Sequence, residues 1–386
     1  MNKKILYGTA CVLTLVIACL MSYNRVSAAQ KGDTFTDENG WITYTITSVG
    51  NQNTCAVTAW KNIYVSDEDP EFKKMIIPET VLYENTEFTV TEINPKYSVM
   101  SININEIEIP STVTNIDIKQ FGFGLSGYDS NYDANDIKNG IKFVFKCAPG
   151  AFSKISRFTV VNEAISSIIY VPEEYLDEYR TLFEDKVQFV IRDNDREPRT
   201  YGSLPIVKIG DENVLPLGFI YKDSYYKILN SDKKTVSLIK KMRVTDENLN
   251  GSIYKQPGKV FYKGEKFTVV KIEYYAFCDA MWPVFYGIKL PKTIKSVDSK
   301  SIGWQITSLD LSETKIKIIP ANLVNQSYDI YDEEPYLTEL ILPQNCKTIK
   351  KKALYNCKQL KSVSIHNKIG SIGKKAFPSN CIIYYD

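Results

Sequence analysis

One pattern, apolar-x-x-apolar-x-apolar, recurs four times in the second half of the chain and narrows the folds open to it. The copies are Phe285-Tyr-Gly-Ile-Lys-Leu290, Ile306-Thr-Ser-Leu-Asp-Leu311, Leu337-Thr-Glu-Leu-Ile-Leu342 and Leu360-Lys-Ser-Val-Ser-Ile365. Between their fourth residues the steps are 21, 31 and 23 residues, and the long step holds Ser327 to Pro335, which reads as a surface insertion. Two copies run into Pro291 and Pro343, and a proline, having no N–H to donate, ends a short strand. A connector also recurs, as Ile272-Glu-Tyr-Tyr-Ala-Phe277, Ile349-Lys-Lys-Lys-Ala-Leu354 and Ile372-Gly-Lys-Lys-Ala-Phe377. Each unit is therefore a strand, a turn and a connector that returns Ile and Ala-Phe to a core. A unit this small cannot bury its apolar edge alone, so the units must stack.

The first half carries a worn version. Ile104-Asn-Glu-Ile-Glu-Ile109 meets Pro110, Ile155-Ser-Arg-Phe-Thr-Val160 follows Ala151-Phe152, and Ile165-Ser-Ser-Ile-Ile-Tyr170 leads to Pro172. Each half also opens alike: Val81-Leu-Tyr-Glu-Asn-Thr-Glu-Phe-Thr-Val90 matches Val260-Phe-Tyr-Lys-Gly-Glu-Lys-Phe-Thr-Val269 at identical spacing. Glu84-Asn85 and Lys263-Gly264 sit where two alternating strands need a tight hairpin turn. Glu173 to Phe183 has apolar residues at helical spacing and reads as a short capping helix.

The strings Leu-x-x-Leu-x-Leu-Pro, Ile-x-x-x-Ala-Phe and Ala-x-x-Asn-Cys-x-x-Leu resemble the BspA-like leucine-rich repeat family, bacterial surface or secreted proteins. The resemblance is specific over 285–386 and looser over 98–191. It implies a non-catalytic role in adhesion to host or bacterial surface proteins. The small number of repeats and the large insertions depart from the family pattern. The expected fold is a β-rich repeat protein of the α/β solenoid class, in two tandem modules of small β meander plus leucine-rich-type coils with parallel strands. Its expected divisions are a signal peptide (1–28), a β-rich lead-in (29–97), degenerate repeats (98–191) capped by helix 173–183, a linker (192–200), a second lead-in (201–275) and repeats (276–386).

Charge and export bound the partners. The chain has 47 Lys and Arg against 45 Asp and Glu; without Lys3, Lys4 and Arg25 the balance is 44 against 45. That overall balance offers no basic footprint for nucleic acid. Lys3 and Lys4, the apolar run from Ile5 to Met21 and Val26-Ser-Ala28 read as a secretion signal cleaved after Ala28. A competing reading takes Val16-Ile-Ala-Cys19 as a lipobox that leaves Cys19 lipidated, the one membrane contact expected. Cys55, Cys147, Cys278, Cys346, Cys357 and Cys381 show no C-x-x-C pair and read mostly as buried thiols.

Candidate chemistry is sparse. The lone His366 follows a repeat strand, and the acidic stretches around Asp129, Asp133 and Asp136 and around Asp332, Glu333 and Glu334 lack calcium-loop spacing. No catalytic residue, metal site or cofactor is expected. The outward positions of the strands form two rows, Gly287, Ser308, Glu339, Ser362 and Lys289, Asp310, Ile341, Ser364, which are the expected partner-binding face. Loops 122–140 and 327–335 are the alternative recognition elements. Partners are expected to be an extracellular protein or, alternatively, a glycan held by a coplanar pair of exposed aromatic rings. An enzyme, a carboxylate-based hydrolase, is the remaining alternative.

Overall fold

A computed structural model describes residues 28–60, 74–95, 105–116, 122–123, 140–152, 158–161, 165–184, 187–191, 199–241, 251–278, 285–325, 335–365 and 369–385. Residues 1–27 with Cys19, most of loop 122–140, the acidic insertion up to Glu334, and His366 lie outside these residues. The described chain divides into two compact units. One runs to Leu125 and adds 143–159 and 170–186; the other takes 126–142, 160–169 and everything from Val187.

In the first unit a six-stranded sheet has the order Thr34–Thr36, Ile42–Ser48, Thr54–Trp60, Thr86–Ile93, Thr80–Tyr83, with Asn115–Ile116 also pairing to Thr86–Ile93. Alternation dictates the inner face: Ile42, Tyr44 and Ile46 point inward on one strand, and Phe88, Val90 and Ile93 on another. Phe35 stacks on Tyr44 and Tyr83, with ring centroids 5.3 Å and 4.6 Å away. Glu84 (φ 48°) and Asn85 (φ 62°) are both left-handed, the turn geometry that matches the twist of a two-residue hairpin.

The second unit repeats this sheet strand for strand: Gly218–Tyr221, Ser224–Asn230, Thr235–Lys241, Glu265–Ile272, Lys259–Tyr262, with Ser296–Val297 on Glu265–Ile272. Its hairpin turn, Lys263 (φ 47°) and Gly264 (φ 79°), has the same left-handed pair. The central parallel pairing even carries its β-bulge at the same place, between Cys55 and Ala56 in the first copy and Val236 and Ser237 in the second. Phe267, Val269 and Ile272 fill the positions of Phe88, Val90 and Ile93.

In each copy a parallel strand then leads into the repeats. In the first, Lys74–Ile76 pairs with Glu106–Ile109, and Lys142–Phe145 lies next in the same sheet. The expected strand at 155–160 is displaced: Phe158–Val161 belongs to a different sheet, and Lys142–Phe145 takes the ladder position. The reason is burial, since Phe143, Val144 and Phe145 are all interior. The capping helix forms as Leu176–Phe183 after a 3-10 turn, Glu173–Tyr175. It buries Tyr179 and Phe183 against Phe145 and Phe152, and the Tyr179 hydroxyl donates to Cys147 O at 2.9 Å. Arg199 and Thr200, expected in the linker, are already in the strand Arg199–Ser203, which pairs antiparallel with Val187–Ile191.

The second copy gives a clear stack. Ser252–Lys255, Phe285–Lys289, Ser308–Asp310 and Glu339–Ile341 form one parallel ladder, and Ser362–Ile365 pairs with Ile382–Tyr385. A second ladder joins Ile318–Ile319, Thr348–Ile349 and Ser371–Ile372. Corner contacts add a third line of backbone bonds, such as Phe277 N to Ser301 O, Leu323 N to Ala353 O and Leu354 N to Ala376 O. Ile288, Leu309, Leu340 and Val363 enter one core with Ile319, Ile349, Cys346 and Cys357. The protein is thus a β-rich repeat solenoid.

Close packing leaves no room for a side chain at Gly373. A Cβ on Gly373 would lie 2.2 Å from Lys351 N, a backbone atom of the preceding coil. Gly373→Ala is expected to cost about 1–3 kcal/mol by forcing the coils apart. Gly150→Ala, where a Cβ meets nothing within 4 Å, should change stability by no more than about 0.5 kcal/mol. Thermal and denaturant unfolding of the two variants against the parent checks this.

One of the buried positions at which the copies differ holds a lysine. Trp60 pairs with Ile42, whereas Lys241 stands at the equivalent place opposite Ser224. Lys241 is 1% exposed; its Nζ lies 3.4 Å from Asp223 Oδ2 and 5.3 Å from the Tyr254 ring centroid. Desolvation lowers its pKa below the ordinary lysine value, and the Asp223 carboxylate only partly offsets this. Between the folded and ordinary values the unfolded chain holds the extra proton, so stability rises with pH through that window. Below the folded value the burial cost is fully present. Asp223 is more than half exposed, so removing Lys241 strands no buried charge. Lys241→Met is expected to stabilise the protein by about 1 kcal/mol or more at neutral pH, and to flatten the alkaline rise. Denaturant titrations from neutral to alkaline pH measure both.

Candidate functional site

The strand face of the second stack is where the expected binding rows meet. Parallel pairing keeps equivalent residues side by side: Ile253, Gly287, Ser308 and Glu339 form one row, and Lys255, Lys289, Asp310 and Ile341 the other. Ser362 pairs with Ile382, and Ser364 with Tyr384. Inward neighbours Ile288, Leu309, Leu340 and Val363 anchor these strands, so the rows face away from the core. Ile253 and Lys255 were not evident from the repeat pattern, because Ser252–Lys255 belongs to the lead-in and carries no leucine-type signature.

Gly287 and Ser308 correct the expectation of an open row, for both are buried. The pairing skips from Ser252–Phe285 to Ile253–Gly287, which leaves Tyr286 as the extra residue of a β-bulge. A bulge re-aims a side chain. Here the Tyr286 hydroxyl donates to Glu339 Oε1 at 3.4 Å, two strands away, so its side chain crosses the 308 coil. Gly287 is obligatory beneath this crossing: a Cβ would meet Ser308 O at 2.6 Å and Ser308 Cβ at 2.8 Å. Thr307 Oγ1 donates to Tyr286 O at 2.7 Å and Thr338 Oγ1 to Thr307 O at 3.1 Å, which tie the entry ends of these coils.

The second row holds a fixed ion cluster. Lys289 Nζ lies 2.8 Å from Glu313 Oε1 and 3.2 Å from Asp310 Oδ2. These hydrogen bonds, Glu313 first, raise the Lys289 pKa. Burial pushes the Asp310 carboxyl up, but bonds from Ser312 Oγ at 2.6 Å and Ser312 N at 2.9 Å, with Lys289, outweigh it. Asp310 therefore sits below the ordinary carboxylate value. Next to this cluster Ile341 is 52% exposed, and Ile253, Tyr286, Ile382 and Tyr384 are exposed too. The face combines open apolar side chains with a preorganised charge group.

Trp304 and Tyr336 meet at a ring-centroid distance of 5.4 Å and 68° between planes, joined by Tyr336 N to Trp304 O. This edge-to-face pair is not the coplanar shelf that the glycan reading requires. Among the described residues no three His, Cys, Asp or Glu converge to hold a metal, and no helix is long and apolar enough to cross a membrane. Buried Cys55 and Cys357 are pushed up to about 12, and Cys147 to about 11, chiefly by desolvation. Such thiols are poor nucleophiles at neutral pH.

The family described as BspA type leucine rich repeat region matches residues 265–384 in six copies. The match spans about a third of the chain. No curated protein matches the chain significantly. Solved structures with some likeness include a leucine rich cell surface protein of Faecalibacterium prausnitzii, at 16% identity over 93% of this chain and 96% of that one, TM-score 0.34. A leucine-rich repeat protein of Eubacterium ventriosum has 14% identity over 91% and 95% of the two chains, TM-score 0.29. The pneumococcal vaccine antigen PcpA has 14% identity over 92% and 82%, TM-score 0.28.

Within the matched region Tyr286 is the residue that organises the strand face. Tyr286→Ala is expected to uncover Ser308 and release Glu339, while Tyr286→Phe keeps the cover and loses only the hydroxyl contact. Amide hydrogen exchange at Ser308 and Leu309 should rise clearly in the alanine variant and little in the phenylalanine one.

Proposed function

We propose that this chain is a non-catalytic binding protein of the bacterial cell exterior, and that an extracellular protein partner docks on the strand face of the second stack. The observation that carries this reading is Ile341, with Ile253 and Tyr286, exposed beside the Lys289–Asp310–Glu313 cluster. Interfaces commonly centre on apolar and aromatic side chains with a polar rim. An apolar strand face on a soluble repeat stack otherwise costs solubility. The secretion-type N-terminus supports an external setting, with Cys19 lipidation as the alternative mode of attachment. A neutral glycan is less well served at Trp304 and Tyr336, whose contact is edge-to-face.

The test is a binding screen of the full chain against extracellular matrix and bacterial surface proteins, beside a glycan array. Ile253→Asp with Ile341→Asp is expected to weaken the captured protein at least tenfold, about 1.4 kcal/mol or more. Ile318→Asp, on the opposite ladder, should leave binding within twofold. Capture of glycans alone, or an unchanged affinity in the double variant, would overturn the reading.

A further inference from the structure

The other side of the same stack bears a different chemistry, one that the near-neutral overall charge conceals. From Leu340 to Tyr385 there are nine lysines and not one Asp or Glu. The coils place several of them in register. After the strands Glu265–Ile272, Ser296–Val297, Ile318–Ile319, Thr348–Ile349 and Ser371–Ile372 the chain turns a corner through a left-handed residue, in turn Tyr275, Lys300, Asn322, Lys352 and Lys375. Backbone bonds from Tyr275 N to Lys300 O, Lys300 N to Asn322 O, and Asn322 N to Lys352 O stack the corners into a column. The rise along it is one strand spacing per coil, about 4.8 Å.

Tyr355 marks the basic end. Lys352 Nζ lies 5.9 Å from its ring centroid and Lys375 Nζ 5.6 Å, so two ammonium groups one coil apart share one exposed ring. Lys351 and Lys374, both exposed, stand next to them. At the other end, Arg199 Cζ and Lys300 Nζ lie 5.4 Å and 6.0 Å from the Tyr275 ring. The carboxylates at that end, Glu273 and Asp298, are both taken up by Lys271, at 2.9 Å and 2.8 Å. Neither Lys352 nor Lys375 has a carboxylate partner among the described residues. Two ammonium groups on one exposed ring leave a local excess of positive charge that an anionic ligand would offset.

We infer that this corner column is a second binding surface, for a linear sulfated polysaccharide. Lysines at three of the five stacked corners, Lys300, Lys352 and Lys375, fit a polymer that carries anionic groups along its sugar rings. The Tyr355 ring between two of the charges offers a flat apolar surface for a sugar. Beyond Arg243 the chain has lysine and no arginine, whereas phosphate and nucleic-acid recognition favour the bidentate arginine fork. The inference does not rest on the protein-docking reading, since the two surfaces share no residue.

Heparin, binding to the immobilised full chain and titrated across salt concentrations, is the probe. The parent is expected to bind it, and Lys352→Gln with Lys375→Gln to weaken it at least tenfold. The log–log salt slope should flatten by about two, one for each ammonium removed. Lys352→Arg with Lys375→Arg should retain binding, which separates charge loss from misfolding. A control pair elsewhere, Lys233→Gln with Lys292→Gln, should cost less than twofold, and Ile253→Asp with Ile341→Asp should leave heparin binding intact. Equal losses in the two glutamine pairs would reduce the effect to bulk charge and overturn the inference. So would absence of binding, or stronger binding to linear polyphosphate, duplex DNA or phosphatidylserine vesicles than to heparin.

Discussion

No coil of this protein can satisfy itself. Each strand of the second stack has backbone donors and acceptors that only the coil before and the coil after can meet, and each sends in one or two aliphatic side chains too few to form a core. Three lines of hydrogen bonds, at the front ladder, the rear ladder and the corner, solve the first problem together. The shared core of Ile288, Leu309, Leu340 and Val363 with the rear isoleucines solves the second. Both surfaces argued to bind something follow from this constraint, because in-register stacking turns any residue repeated along the sequence into a row.

The same constraint explains what could be read in advance. Repeat strands, hairpin turns and the duplicated lead-in depend on local chemistry: alternation, left-handed turn residues, a proline after a strand. These were legible, down to the paired turns at Glu84–Asn85 and Lys263–Gly264. The capping helix was legible too, because Tyr179 and Phe183 are one helical turn apart and both turn inward.

What escaped depends on pairing. The strand Lys142–Phe145 has three consecutive buried residues, so it shows neither alternation nor the leucine-type spacing, and 155–160 looked the better match. Tyr286 is a bulge residue only because Ser252–Lys255 lies beside it, and that neighbour comes from the lead-in. Without the bulge Gly287 and Ser308 read as open positions; with it they are covered. The lysine column was hidden for another reason: a sum over the whole chain cancels charges that the coils keep apart.

The three ladders have a mechanical consequence. Because the corner bonds join each coil to the next from Tyr275 to Lys374, a force pulling one end outward loads the bonds of a single junction at a time. The stack then yields by peeling, coil after coil, at a modest and nearly constant force. A load applied across the strand face instead spreads over all junctions at once. For a protein held at a surface while its partner is dragged past, the orientation of the tether would decide which of these two responses the fold displays.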